Sequence, residues 1–145
     1  MNPRNGYDIE DMKVGMSAET TKTITDADIV LFAGVSTDFN AVHMDEEYAR
    51  TTPFGGRIAH GMLSASLLSA VLGNQLPGPG VVYLSQSLRF RAPVRIGDTV
   101  HARVTVREVL AEKSRVVLDT VCTVLDKVVI DGEAMVMTTS RRKRE

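Results

Sequence analysis

The stretch from 61 to about 75 limits the fold more than any other part of the chain. Leu63, Leu67, Leu68, Val71 and Leu72 are spread among small alanine and serine residues, so a helix here is apolar nearly all round. Such a helix is expected to be wrapped by other structure on most sides. Pro77-Gly78-Pro79-Gly80 ends it, and four runs of strand character follow, at 81–94, 99–110, 115–125 and 129–139. Gly97-Asp98, residues 111–114 and Asp126-Lys127 separate those runs, while Gly132 inside the last one reads as a bulge. One flat antiparallel layer could not cover the helix, so the sheet must curl about it. The fold class is α+β, in one domain spanning 1–145.

The chain ahead of that helix is shorter-ranged. Residues 16–24 alternate loosely and hold three threonines, as an edge strand does. Thr25 is a good N-cap, Asp26 and Asp28 place negative charge in a first helical turn, and Ile29, Leu31, Phe32 and Val35 supply an apolar stripe ending near Ser36. Residues 45–50 suit one or two further turns, stopped by Thr51-Thr52-Pro53. The paired glycines of 54–58 indicate a flexible connector.

Composition narrows the function by exclusion. A chain of 145 residues with 43% hydrophobic and 24% charged content can build a globular core, and a net charge of −1 gives no electrostatic reason to expect nucleic acid. The 61–75 stretch is shorter than the ~20 apolar residues that cross a bilayer, so no membrane partner is expected. Cys122 has no second cysteine to pair with and lies in a β-rich run, which reads as an inert buried thiol. With no basic-then-apolar leader, a cytoplasmic protein is expected. Arg141-Arg142-Lys143-Arg144 reads as a solvated tail.

Concentrated chemistry is confined to two stretches. Asp38-Phe39-Asn40-Ala41-Val42-His43 places an acid and an imidazole five residues apart in a segment too rich in turn formers to continue a helix, so both can converge on one cavity. Ala59-His60-Gly61-Met62 offers a glycine amide where the apolar helix begins. Amides at a helix N-terminus are unpaired and carry the positive end of the dipole, so they can bond a developing oxyanion. Acid, base and oxyanion donor together point to chemistry beside a carbonyl.

These two stretches, with Gln86-Ser87-Leu88-Arg89-Phe90, resemble the MaoC-like hot-dog fold family, particularly its (R)-specific enoyl-CoA hydratases, over roughly residues 23–136. The resemblance implies an antiparallel sheet curled around one central helix. It also implies syn addition of water to a trans-2-enoyl-CoA, giving an (R)-3-hydroxyacyl-CoA, with neither metal nor redox cofactor. Asp38 and His43 match the catalytic pair, His43 as base and Asp38 as acid, and Asn40 belongs to the same motif as a supporting residue. Gly61 matches the amide that polarises the thioester carbonyl, and Ser69 a serine that supports the aspartate. The family usually has proline where this chain has Ala41.

Helical steps of three or four from Gly61 reach Ala65, Ser69 and Leu72, the expected lining for the acyl chain, with Leu72 as its stop and short chains preferred. Arg57, Arg89 and Arg91 are candidates for coenzyme A phosphates. A homodimer joined through the sheets is expected, because so short a chain leaves a sheet edge unpaired. His60, beside the helix start, reads either as a second base or as the partner of a nearby carbonyl, and His101 as an exposed strand residue. Two other functions compete with hydration: an acyl-CoA thioesterase, which would need no histidine five residues after the acid, and a silent acyl-CoA-binding subunit, which would need neither side chain.

Overall fold

A computed structural model describes residues 6–143. Five strands form one antiparallel sheet: β1 (Ser17–Thr23), β2 (Val82–Phe90), β3 (Thr99–Leu110), β4 (Arg115–Val124) and β5 (Lys127–Met137), in the order β1-β3-β4-β5-β2. Three short helices, α1 (Asp26–Ser36), α2 (Ala41–Met44) and α3 (Glu46–Ala49), precede the long α4 (Gly61–Asn74). Val100, Ala102, Val104 and Val106 of β3 alternate inward and join Leu118 and Cys122 of β4 against Leu68, Val71 and Leu72 of α4 in one core. This is the hot-dog arrangement that the resemblance implies.

The sheet curls around only part of the helix. Ser64, Ala65, Leu68, Val71 and Leu72 are buried, whereas Met62, Ser66 and Ser69 stay exposed, so the wrapping expected on most sides is incomplete. The sheet's two edges also differ. β1 is edged with Glu19, Thr20, Thr21 and Lys22, which discourage further pairing. The other edge, β2, exposes Val82, Tyr83, Leu84 and Phe90.

Several local expectations change for physical reasons. Thr25 caps α1 as expected, its hydroxyl accepting from Asp28 N at 3.1 Å while Asp28 Oδ2 accepts from Thr25 N at 2.9 Å. The apolar stripe of α1 is not one face, however: Leu31 lies about 200° round the helix from Ile29. Ile29 and Ala33 are buried, and Leu31 and Val35 are exposed. Gly132 is not a bulge, since it pairs in register with both Leu88 and Thr120. Glycine is needed there because a Cβ would sit 1.9 Å from the Ser87 carbonyl oxygen. Irregularities fall instead at Tyr83/Ser85, Val106/Glu108 and Cys122/Thr123. The hairpin turn is Leu125-Asp126, both at positive φ, one residue earlier than the polar pair indicated. Arg141 is no solvated tail: its guanidinium reaches Asp11 at 2.7 Å. Arg144 lies outside the described residues.

Candidate active site

Thr37, in the left-handed conformation at φ 65°, turns the chain out of α1 and into the Asp38 segment. That segment is more than a loop. Asn40 Oδ1 accepts from Val42 N at 3.2 Å and caps α2, so His43 stands on a helical turn whose geometry is set by that cap. Asn40 N in turn donates to Asp38 Oδ1 at 3.2 Å, which ties the acid to the cap that holds the imidazole. Ala41 occupies the first position of α2, where proline is well tolerated, so alanine keeps the same backbone without proline's fixed φ.

His43 is buried and fixed on two sides. Its Nδ1 lies 2.8 Å from the Ile58 carbonyl oxygen, an acceptor, so Nδ1 carries the proton and Nε2 keeps its lone pair. Burial pushes the imidazole below its ordinary pKa; the Ile58 bond raises it, neighbouring His60 lowers it, and Asp38 raises it. Arg57 donates from Nε to the His43 carbonyl at 2.6 Å and from Nη2 to Asp26 at 2.7 Å. The connector at 54–58 is thereby pinned to α1 and α2, with Ile58 N also bonded to Val42 O at 3.2 Å. Ala59 N donates to Val94 O at 2.7 Å, which attaches the segment to the connection between β2 and β3 just before α4 begins.

A cleft of 490 Å³ opens among Asp38, His43, His60, Gly61, Ser64 and Phe90. One donor atom each from Asp38, His43 and His60 lies within 4.8 Å of the others. A carboxylate and two imidazoles at that spacing are the donors that could hold a metal ion; they could equally hold one water molecule between them. Gly61 is the first residue of α4, where the amide has no partner within the helix. A Cβ at Gly61 would meet the Phe90 ring at 2.6 Å, so any larger residue there would displace that ring from the mouth of the cleft.

A second cleft, of 580 Å³, lies on the open side of α4 among Ala65, Ser69, Tyr83, Leu84, Gln86 and Leu88. Met62 borders both clefts. The structure thus brings Asp38, His43 and Gly61 to one cleft and sets Ala65 and Ser69 beside the other. Leu72 lines neither and is buried in the core at 1% exposure. Arg57 is engaged with His43 and Asp26, and Arg89 lies exposed on β2. Arg91 is the arginine that borders the first cleft, paired with Asp131 at 3.1 Å. His60, which the sequence left as a carbonyl partner outside the catalytic set, and Ser64, which it did not single out, are buried beside the reacting groups. The signal for His60 was its place next to the helix start; Ser64 gave none.

The model of the MaoC-like domain matches residues 10–130. The chain belongs to this family. Among MaoC-like relatives, it is 60% identical to the (R)-specific enoyl-CoA hydratase of Rhodospirillum rubrum over 91% of this chain and 92% of that protein. It is 53% identical to the 3-hydroxybutyryl-CoA dehydratase of Methylorubrum extorquens, over 88% of this chain and 81% of the relative. Among solved structures, the unliganded R-hydratase PhaJ1 from Pseudomonas aeruginosa superposes with a TM-score of 0.89 at 45% identity, covering 94% of this chain and 88% of that one. The (R)-hydratase from A. caviae gives 0.86 at 42% identity, covering 89% and 98%.

Proposed function

We propose that the protein is an (R)-specific enoyl-CoA hydratase, adding water syn across a trans-2-enoyl-CoA. The observation that carries this reading is the first cleft: a carboxylate, an imidazole with a free Nε2, and a helix-start amide all face one space. The Gly61 amide holds the thioester oxygen, whose negative charge grows as C3 is attacked. Asp38 and His43 hold one water between them: its oxygen bonds C3 as one of its protons passes to His43 Nε2, and the Asp38 carboxyl, as the acid, delivers a proton to C2. Return of the proton from His43 to Asp38 closes the cycle. No redox cofactor or metal enters this scheme.

The acyl tail leaves the first cleft past Met62 and continues along Ala65 and Ser69. The open β2 edge supports a homodimer, in which a second copy covers Tyr83 and Leu84 and closes the second cleft. Among the described residues no helix is long and apolar enough to cross a membrane. Mixing the purified protein with crotonyl-CoA and following the enoyl-thioester absorbance tests the activity: a steady loss that scales with enzyme supports it, and none at high enzyme concentration refutes it.

A further inference from the structure

Position 60 is the N-cap of α4, yet its side chain caps nothing. Residues chosen for that position are ordinarily Ser, Thr, Asp or Asn, whose oxygens accept from the first turn of the helix. Here the side chain is spent elsewhere. His60 Nε2 lies 2.9 Å from the backbone carbonyl oxygen of Asp38, 22 residues earlier. The ring sits between two others, with its centroid 4.0 Å from His43 at 31° and 4.9 Å from Phe32 at 58°. It is 2% exposed, and its Nδ1 is buried without a hydrogen-bond partner.

Those contacts fix the tautomer. A carbonyl oxygen only accepts, so Nε2 must carry the proton. Nδ1 has no protein partner. The result is a rigid strut between the two halves of the site. One end is the start of α4, which carries the Gly61 amide, and the other is the peptide of Asp38.

We propose that His60 is the positioning residue of this site: its Nε2–H, donated to the Asp38 carbonyl, sets the distance between the acid's turn and the Gly61 amide, while its ring face backs His43. The inference rests on the hydratase reading for its catalytic consequence, but not for its geometry. Asp38 itself is exposed and held by short local bonds, so without the strut its turn is free to shift relative to the bound thioester. A displacement of about 1 Å between reacting groups can cost up to about 100-fold in rate while leaving substrate binding nearly unchanged.

Two substitutions separate donor from ring. His60→Gln keeps an N–H near the Nε2 position without a ring, and His60→Phe keeps the ring without a donor. With crotonyl-CoA, kcat should fall roughly 10- to 100-fold in His60→Phe at a KM within about threefold of wild type, and His60→Gln should recover most of the loss. A role in packing alone would produce the opposite order, with Phe active and Gln impaired. That order, or equal losses in both variants, overturns the proposal. If His60→Phe does not fold, His60→Leu takes its place as the variant without a donor.

The tautomer is read independently of turnover, from the 15N shifts of the wild-type imidazoles near neutral pH. Protonated Nε2 at His60 is expected, and a bare Nε2 contradicts the strut. A wild type inert toward crotonyl-CoA would sink the hydratase reading while leaving this measurement meaningful.

Discussion

The two clefts flanking the first turns of α4 share Met62 and little else. The first gathers ionisable groups: Asp38, His43 and His60 converge there, and each is held by bonds to nearby backbone. The second is lined by Ala65, Leu84 and Leu88 with the hydroxyls of Ser69 and Tyr83, and Tyr83 is bonded to Gln86. Fixed charges and lone pairs make the first a place for bond changes, whereas the second offers shape. Burial supports the division, because the imidazole of the first cleft is desolvated and kept neutral as a base must be. Burial in the second raises the Tyr83 phenol above its ordinary range, which keeps it protonated and unreactive.

The largest effects should come from the first cleft. Asp38→Asn and His43→Gln are each expected to lower kcat by ~10²–10⁴-fold with the fold intact by circular dichroism. Since both act on one water, the double variant should be little worse than the poorer single, and multiplicative losses would separate their roles. Substitution at the second cleft should act on selectivity, and substitution in the core on stability. Ser69→Phe fills the second cleft and should shift relative kcat/KM toward shorter enoyl chains, whereas Leu72→Ala removes a buried leucine that lines neither cleft and should cost about 2–5 kcal/mol in denaturant unfolding without that shift. An unchanged chain-length profile in a folded Ser69→Phe variant would show that the acyl tail does not run along Ser69.

At the β2 edge, Leu84→Lys should shift a dimer toward monomer in light scattering. A stable, fully active wild-type monomer would break the idea that a second copy completes the second cleft. The smallest effect is with pH. Burial lowers the His43 pKa and the base must be neutral, so kcat/KM should stay flat down through about pH 6.5, where a free histidine would half-protonate, and fall only below it. The stability term has the same sign: between the ordinary and the lowered value the unfolded chain takes up the proton first, so stability is lost as pH falls. A rate that already halves at pH 7 would contradict a buried His43 base.

The features of the two clefts that were legible in the sequence are those encoded locally. An apolar helix followed by four runs of strand residues dictates a curled sheet, and Thr25 with Asp28 writes its own cap. Asp38, Asn40 and His43 are close in sequence and remain close in space. What could not be read depends on partners far along the chain. Nothing near Arg57 indicates that Asp26, 31 positions earlier, receives its guanidinium, so it looked free for a phosphate. Gly132 reads as a bulge until the Ser87 carbonyl is seen beside it on the neighbouring strand. His60 has an ordinary local reading, and its contact with the Asp38 carbonyl exists only once α4 is docked. Cys122 is inert, as its place in a β-rich run indicates: burial pushes its thiol up to about 12, and its Sγ lies 3.7 Å from the Ser64 carbonyl.

The division of labour between the clefts rests on water adding at C3 of an enoyl thioester held by Gly61. The most direct measurement is to run the purified protein on crotonyl-CoA in deuterated water and determine the product by NMR, with free thiol assayed in parallel. The expected product is 3-hydroxybutyryl-CoA of R configuration, carrying one deuterium at C2 on the same face as the new C3 oxygen, with no coenzyme A released. Free thiol without a hydroxylated product, or hydroxyl and deuterium on opposite faces, would contradict the account.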